Sequence, residues 1–483
     1  VSATRKPETG VGVLNDLMPW QRQEVVKIAE GRHRALWADP GVGKTAVAAR
    51  AALQRRRQGC PLPTLYLAPS ALVGQVGREF VRWWPGCRVC VIRASGQAID
   101  PRADAVVIGY GLLSRQTGLI DRLRPLAFGL MVMDESHYLR SHEAKRTQII
   151  LLAANAIATR AQQRLFLSGT MLVNHAGDLH PMITRLGVTA LASTDPKGVR
   201  RSISRSAYES KFVVFAEKFF GGRSIRMAVG SKNLPELHTA LAPHLRRARL
   251  QDVIAGLPSL RLPVLPLEAD IRAVPGLPPG IAGAVQNLMD DIAELEEGPV
   301  RAAAQTELMA LLDEANIALS TWRRALGEAK APAAAGVLID RLQSGEPQAV
   351  CFVHHRSVGD AIKDALAEAG IACGLLRGGI SQAERDATIA AFKGGALRVV
   401  ICQHESGGTG VDGLQVARYG LVVESPWTAA ALRQSVARLW RAGQRNAVLV
   451  EIATAAGTLD ETIAEIIARK AGEAAALSTG EQP

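Results

Sequence analysis

Ala38-Asp39-Pro40-Gly41-Val42-Gly43-Lys44-Thr45 lies between the apolar run Ala35-Leu36-Trp37-Ala38 and the helix-forming stretch Ala46-Val47-Ala48-Ala49-Arg50-Ala51-Ala52-Leu53. A short apolar run of this kind reads as a buried strand. The segment after it is rich in strong helix formers. Strand, glycine-rich turn and a helix opened by Lys-Thr make the layout of a phosphate cradle. Gly41 and Gly43 let backbone N–H groups turn toward an anion, and the helix N-terminus adds partial positive charge. Lys44 is placed to reach the β- and γ-phosphates and Thr45 to hold Mg²⁺, while Asp39, Pro40 and Val42 complete the loop. An ordinary strand–helix turn could contain Gly and Lys by chance, but both flanks are present here. ATP and Mg²⁺ are therefore the expected cofactors.

Working outward, Leu17 to Val25 reads as a helix start with Pro19 in its first turn. Gln21, about twenty residues before the loop, is a candidate reader of the adenine edge, although a surface glutamine would look the same. Downstream, strands and helices alternate as in a parallel sheet covered on both faces. Strands are expected at Thr64–Ser70, Ala105–Ile108, Gly129–Met133 and Arg164–Leu167. The third ends in Asp134-Glu135-Ser136-His137. Ligands bind at the carboxyl ends of strands in such sheets. There Asp134 can hold Mg²⁺ through water, Glu135 can deprotonate the attacking water, and His137 can sense the γ-phosphate. An acidic pair capping a helix is the plainer alternative.

From Thr170 to Lys330 the alternation stops and the pattern is mostly helical. Leu257 to Pro266 reads as an extended, proline-broken link, and Ile281 to Arg324 as two helices broken near Gly298-Pro299. A second alternation begins at Ala331, with a helix over 333–343 and a later one over 428–441. On that later helix Gln434, Arg438 and Arg441 stand at i, i+4 and i+7 and share one face, opposite Leu432, Val436 and Leu439. A helix that packs one side and offers two arginines on the other can deliver guanidinium groups to a phosphoryl transition state. In isolation it would be a solvated basic face. Just upstream, the glycine-rich Ser406–Gly413 includes Gly410 and Asp412, which could approach a nucleotide closely.

The 483 residues carry a net charge of +12, which favours a polyanionic partner, nucleic acid first. No apolar run approaches the ~18 residues of a membrane span, and the polar start shows no signal core. No membrane association is expected, and the expected location is the cytoplasm, nucleoid-associated, in a prokaryote or phage given the Ala- and Arg-rich composition. Cys87-Arg-Val-Cys90 has no second ligand pair and reads as core packing rather than zinc.

Together these motifs resemble helicase superfamily 2, and within it the Swi/Snf-type ATPases. Ala38–Thr45 matches motif I and Asp134–His137 motif II in its DESH form. Ser168-Gly-Thr170 with Asn174 is similar to motif III, Cys351–His355 to motif IV, Gly408–Gln415 to motif V, and Gln434–Gln444 to motif VI. Gln21 falls where the family's adenine-reading glutamine lies. Leu326-Gly-Glu-Ala-Lys330 resembles the family's link into its second lobe. Asn233–His238 with Leu245–Leu250 looks most like the annealing-helicase subgroup. Met171 departs from the family's proline, and Val436-Ala437 from its acidic pair.

The resemblance implies an α/β fold of two RecA-like parallel-sheet lobes with helical insertions between them. Lobe one would span 1–190, the insertions and linker 191–330, and lobe two 331–483. ATP would lie in the cleft between the lobes. The implied activity is a nucleic-acid-dependent ATP hydrolase that translocates on double-stranded DNA without sequence preference and remodels protein–DNA or branched structures, alone or with separately encoded protein partners. Arg115, Arg140, Lys145 and Arg146 are candidate phosphate contacts in lobe one. A strand-separating DNA or RNA helicase, or a non-catalytic nucleic-acid platform, are the alternatives.

Overall fold

The computed structural model describes residues 16–476 apart from 115–117, 170–175, 195–199, 221–222, 254–256, 278, 295–303, 305–306, 310, 313–315, 405–412, 427–428 and 442. The chain divides into two compact units, Val1–Ala255 and Gly256–Pro483. No helix among the described residues is long and apolar enough to cross a membrane.

The first unit is built on a seven-stranded parallel sheet. Its strands are β1 (Arg34–Ala38), β2 (Thr64–Ala68), β3 (Val89–Ile92), β4 (Ala105–Gly109), β5 (Phe128–Met133), β6 (Ala161–Ser168) and a late strand, Leu245–Ala248. The spatial order is Leu245–Ala248, β1, β6, β5, β2, β4, β3, and every pairing is parallel. β1, β2, β4 and β5 are buried along their whole length. That is why they read as continuous apolar runs rather than alternating ones. The helices α1 (Pro19–Ala29), α2 (Lys44–Arg57) and α3 (Val73–Trp83) pack in the first half of the unit. α2 buries Ala46–Leu53, where alanines permit close approach to its neighbours.

The second unit repeats the plan. Seven parallel strands carry the order Leu260–Arg261, Val448–Ala455, Tyr419–Val422, Ala349–Val353, Val399–Gln403, Cys373–Leu376, with Val264–Leu267 also on Val448–Ala455. Alternate residues of Ala349–Val353 fall into two apolar clusters. Val350 and Phe352 join one, and Ala349, Cys351 and Val353 the other. The sheet is thus covered on both faces.

The stretch after Thr170 is less helical than its pattern suggests. Helices are present at Arg205–Phe212, Leu234–Leu241 and Pro279–Glu294, but Val213–Phe220 and Arg223–Ser231 form an antiparallel hairpin. Both sheets also recruit edge strands from it. Leu245-Arg-Arg-Ala248 lacks an apolar pattern because it lies at a sheet edge, where charge is tolerated. Leu260–Arg261 and Val264–Leu267 both pair with Val448–Ala455, the second carrying Pro266 as an edge strand can, so the segment read as a link is part of the second sheet. The helix expected to start at 333 is also corrected. Asn316–Gln343 runs unbroken through Pro332. The proline's lost hydrogen bond is offset by docking, with Ala331, Ala334 and Ala335 buried and the Lys330 ammonium donating to Ala453 O (3.2 Å) and paired with Asp460. The break expected at Gly298-Pro299 lies outside the described residues.

Candidate active site

The phosphate loop joins β1 to α2 through two glycines in the left-handed region. Gly41 and Gly43 both have φ 86°. Gly43 is the N-cap of α2 and no side chain caps the helix, which leaves N–H groups at this helix start for an anion. The loop is braced from two sides. Asp39 N donates to Ala248 O on the edge strand (3.0 Å), and Val42 O accepts from the Gln21 amide Nε2 (2.9 Å). Lys44 Nζ donates to Ala38 O at 2.7 Å. Gln21 is buried and its Oε1 accepts from Met18 N (2.8 Å), closing the first turn of α1. Both polar ends of this amide are therefore engaged within the protein, where it supports the loop.

A Cβ on Gly43 would stand 2.5 Å from Gln21 Nε2, at a φ that L side chains avoid. Gly43→Ala therefore displaces the brace and adds roughly 1–2 kcal/mol of backbone strain. It is expected to weaken ATP binding at least about tenfold, since 1.4 kcal/mol corresponds to that factor. Titration with a fluorescent ATP analogue measures it, and unchanged affinity would contradict the brace.

The acids stand at the carboxyl end of β5, one strand removed from β1, with β6 between. Asp134 Oδ2 accepts from the Tyr66 hydroxyl (2.9 Å) and Oδ1 from Glu135 N (3.0 Å). The Tyr110 hydroxyl donates to Asp134 O at 2.7 Å. Glu135 is held at φ 47°, a left-handed conformation costly for a side chain with a Cβ. His137 Nδ1 lies 3.3 Å from Glu135 Oε2 and 3.2 Å from Ser168 Oγ, so the histidine ties the acidic motif to the end of β6.

Electrostatics separates the two buried carboxyls. Burial, and then the charge of Glu135, push Asp134 up to about 6, against the pull of Lys44 and the Tyr66 hydrogen bond. Burial also works upward on Glu135, but His137, Lys44 and a hydrogen bond from the Gly169 backbone outweigh it and hold the carboxyl below its ordinary range. Glu135 is thus ionised at neutral pH, as a general base must be. Asp134 is the acid whose charge a cation would favour. Lys44 acts on both, so loop lysine and strand-end acids form one electrostatic unit. Two φ 86° glycines, a basic loop and two buried acids are a donor set that suits a nucleotide triphosphate with a divalent cation.

In the second unit the arginine helix needs correction. It spans Ala429–Val436 and does not reach Arg441. Past it the chain tightens, with Arg438 N on Ser435 O and Leu439 N on Val436 O. The Gln444 amide Nε2 caps Leu439 O and also reaches Gln415 O and Ala417 O. Gln434, Arg438 and Arg441 therefore do not share a helical face. Leu432, Val436 and Leu439 are buried as expected, and Arg438 is buried among them. Its Nη2 donates to His404 O (3.0 Å), its guanidinium lies 5.8 Å from the Phe352 ring centre, and Nη1 is buried without a partner. Gln434 and Arg441 are half-buried. Gly410, Asp412, Arg115, Met171 and Asn174 lie outside the described residues. Arg146 Nε donates to Tyr138 O (2.8 Å) with its guanidinium over that ring; Lys145 is exposed and Arg140 half-buried.

The sequence reading missed His404 and Glu424. Glu424 accepts from His354 N (2.7 Å) and His355 N (2.8 Å), and pairs with His355 Nδ1. The His404 ring bridges Ser435 Oγ (2.8 Å) and Glu424 O (2.7 Å). Burial, helped by Arg438, lowers His404 from 6.5 to about 4 against the Glu424 hydrogen bond, so the folded state holds it neutral. As pH falls below 6.5 the unfolded chain binds the proton first, and stability is lost progressively down to about 4. His33 and His142, likewise lowered to about 4, act in the same window. Urea midpoints are expected to fall across this range, and less steeply in His404→Gln. A flat profile would contradict the burial of neutral imidazoles.

A family model described as SNF2-related domain matches residues 25–269, and one described as Helicase conserved C-terminal domain matches residues 333–443. Over 462 residues the chain is 25% identical to the DNA annealing helicase and endonuclease ZRANB3 of Bos taurus, covering 94% of this chain and 40% of that protein. Over 469 residues it is 27% identical to the SWI/SNF-related matrix-associated actin-dependent regulator of chromatin subfamily A-like protein 1 of Bos taurus, covering 95% and 44%. The chain thus spans about two-fifths of the length of these curated relatives. Among solved structures, the Sulfolobus solfataricus SWI2/SNF2 ATPase core in complex with dsDNA shares 18% identity, with 99% of this chain and 98% of that one covered and a TM-score of 0.44.

Proposed function

The chain belongs to the SNF2-related family, and from that premise we propose that it is a DNA-dependent ATPase motor that translocates on double-stranded DNA and remodels protein–DNA or branched DNA structures. The observation that carries the reading is the electrostatic unit of Lys44, Asp134 and Glu135 beside the two left-handed loop glycines. In this reading residues 39–45 hold the phosphates, Gln21 keeps the loop in shape, and Thr45 and Asp134 hold Mg²⁺. Bound there, the ion would neutralise charge on the β- and γ-phosphates. Glu135 takes the proton of the attacking water. Arg438 and Arg441 add guanidinium charge to the transferring phosphoryl group, with Gln434, Gly410 and Asp412 in supporting contacts. Binding to the duplex is through phosphates, sequence-independent and salt-sensitive.

Movement along the duplex is separable from strand separation. Displacement of a triplex-forming third strand in the presence of ATP, with a forked duplex left paired, is the result expected of a duplex translocase. Unwinding of the fork without triplex displacement would replace it with the strand-separating helicase.

A further inference from the structure

β2 carries one polar side chain in an otherwise apolar interior run, Leu65-Tyr66-Leu67-Ala68, every member of which is buried. The Tyr66 ring is locked edge-on by Phe80 of α3, with centres 5.5 Å apart at 84°. Phenylalanine would satisfy that packing. A buried phenol must also find a hydrogen-bond partner, and that of Tyr66 lies in the nucleotide site. Its hydroxyl donates to Asp134 Oδ2 at 2.9 Å. One hydroxyl on a central strand therefore holds the first acid after β5.

We propose that Tyr66 is a positioning residue for the Mg²⁺ site. Its proton goes to Asp134, and the Asp134 carboxylate is thereby fixed in orientation before the cation arrives. Partners behind metal ligands act in this way, and their loss commonly lowers metal affinity more than it disturbs the fold. The proposal rests on the reading of this chain as a Mg²⁺-dependent ATPase.

Tyr66→Phe removes the hydroxyl and keeps the ring against Phe80. Thermal unfolding confirms that the variant is folded. Binding of a fluorescent ATP analogue in EDTA is then compared with binding across a Mg²⁺ titration, and Mn²⁺ bound with the nucleotide is followed by electron paramagnetic resonance. We expect unchanged binding in EDTA and a roughly 10- to 100-fold loss of divalent-cation affinity. Turnover should fall at low Mg²⁺ and recover at high Mg²⁺ with kcat near that of the parent chain. Unchanged cation affinity overturns the proposal, as does a loss equally large in EDTA, which would mark a packing role. If the parent chain binds no ATP under either condition, the ATPase reading itself fails, a result distinct from either of these.

Discussion

Arg438→Ala is expected to lower DNA-stimulated ATP turnover by about 10³-fold or more, the scale of an arginine acting on a transferring phosphoryl group. ATP affinity should stay within about threefold of the parent chain, because the guanidinium acts on charge that develops only in the transition state. Arg438 suits this role. It is buried, its Nη2 is anchored on His404 O, its guanidinium carbon lies 5.8 Å from the Phe352 ring centre, and Nη1 has no hydrogen-bond partner. A buried guanidinium N–H left unpaired costs about 1–3 kcal/mol. Truncation also removes a packing contact in the second unit, so thermal unfolding is measured alongside. Arg438→Lys keeps the charge but not the planar fork, and is expected to remain far below the parent rate while restoring stability. If the loss of turnover were matched by an equal loss of ATP affinity, Arg438 would be a ground-state contact instead.

The second large effect belongs to Glu135. Glu135→Gln is expected to cut turnover by roughly 10²- to 10⁴-fold, the range for losing a general base, while ATP and duplex DNA still bind. The carboxyl is held ionised inside the fold by His137, Lys44 and the Gly169 backbone against the opposing effect of burial, and it occupies a left-handed conformation at φ 47°. Strain of this kind persists where surrounding structure over-determines it, and such positions cluster at active sites. Glutamine keeps the shape and loses the basicity. A trapped complex of ATP with DNA, stable over many parent turnover times, is the expected signature. Turnover within a fewfold of the parent would move the base to another residue.

The first unit's candidate site was legible in the sequence because its residues are local. Gly41, Gly43 and Lys44 are adjacent and sit between an apolar run and a helix-forming run. Asp134 and Glu135 follow directly on a fully apolar strand. The parallel α/β class was legible for the same reason, since buried strands such as Phe128–Met133 are apolar runs too short for a helix. What was not legible depended on distant partners. Leu245–Ala248 becomes a strand only because β1 offers an edge. The helix at Ala429 ends at Val436, where the backbone tightens into bonds from Arg438 N to Ser435 O and from Leu439 N to Val436 O, and no spacing rule applied to Arg438 and Arg441 can see that. Nothing in the sequence singles out Tyr66. Its hydroxyl acquires meaning only when β2 is set beside β5 and its ring meets α3.

The central claim is that the site proposed at Lys44, Asp134 and Glu135 hydrolyses ATP in response to duplex DNA. The most direct test measures the ATP hydrolysis rate of this chain alone, with blunt duplex DNA, with single-stranded DNA and with RNA, over a series of salt concentrations. Strong stimulation by the duplex, weakening as salt rises and absent in Lys44→Ala, is the predicted result. A rate that no duplex changes, or that RNA alone raises, would contradict it.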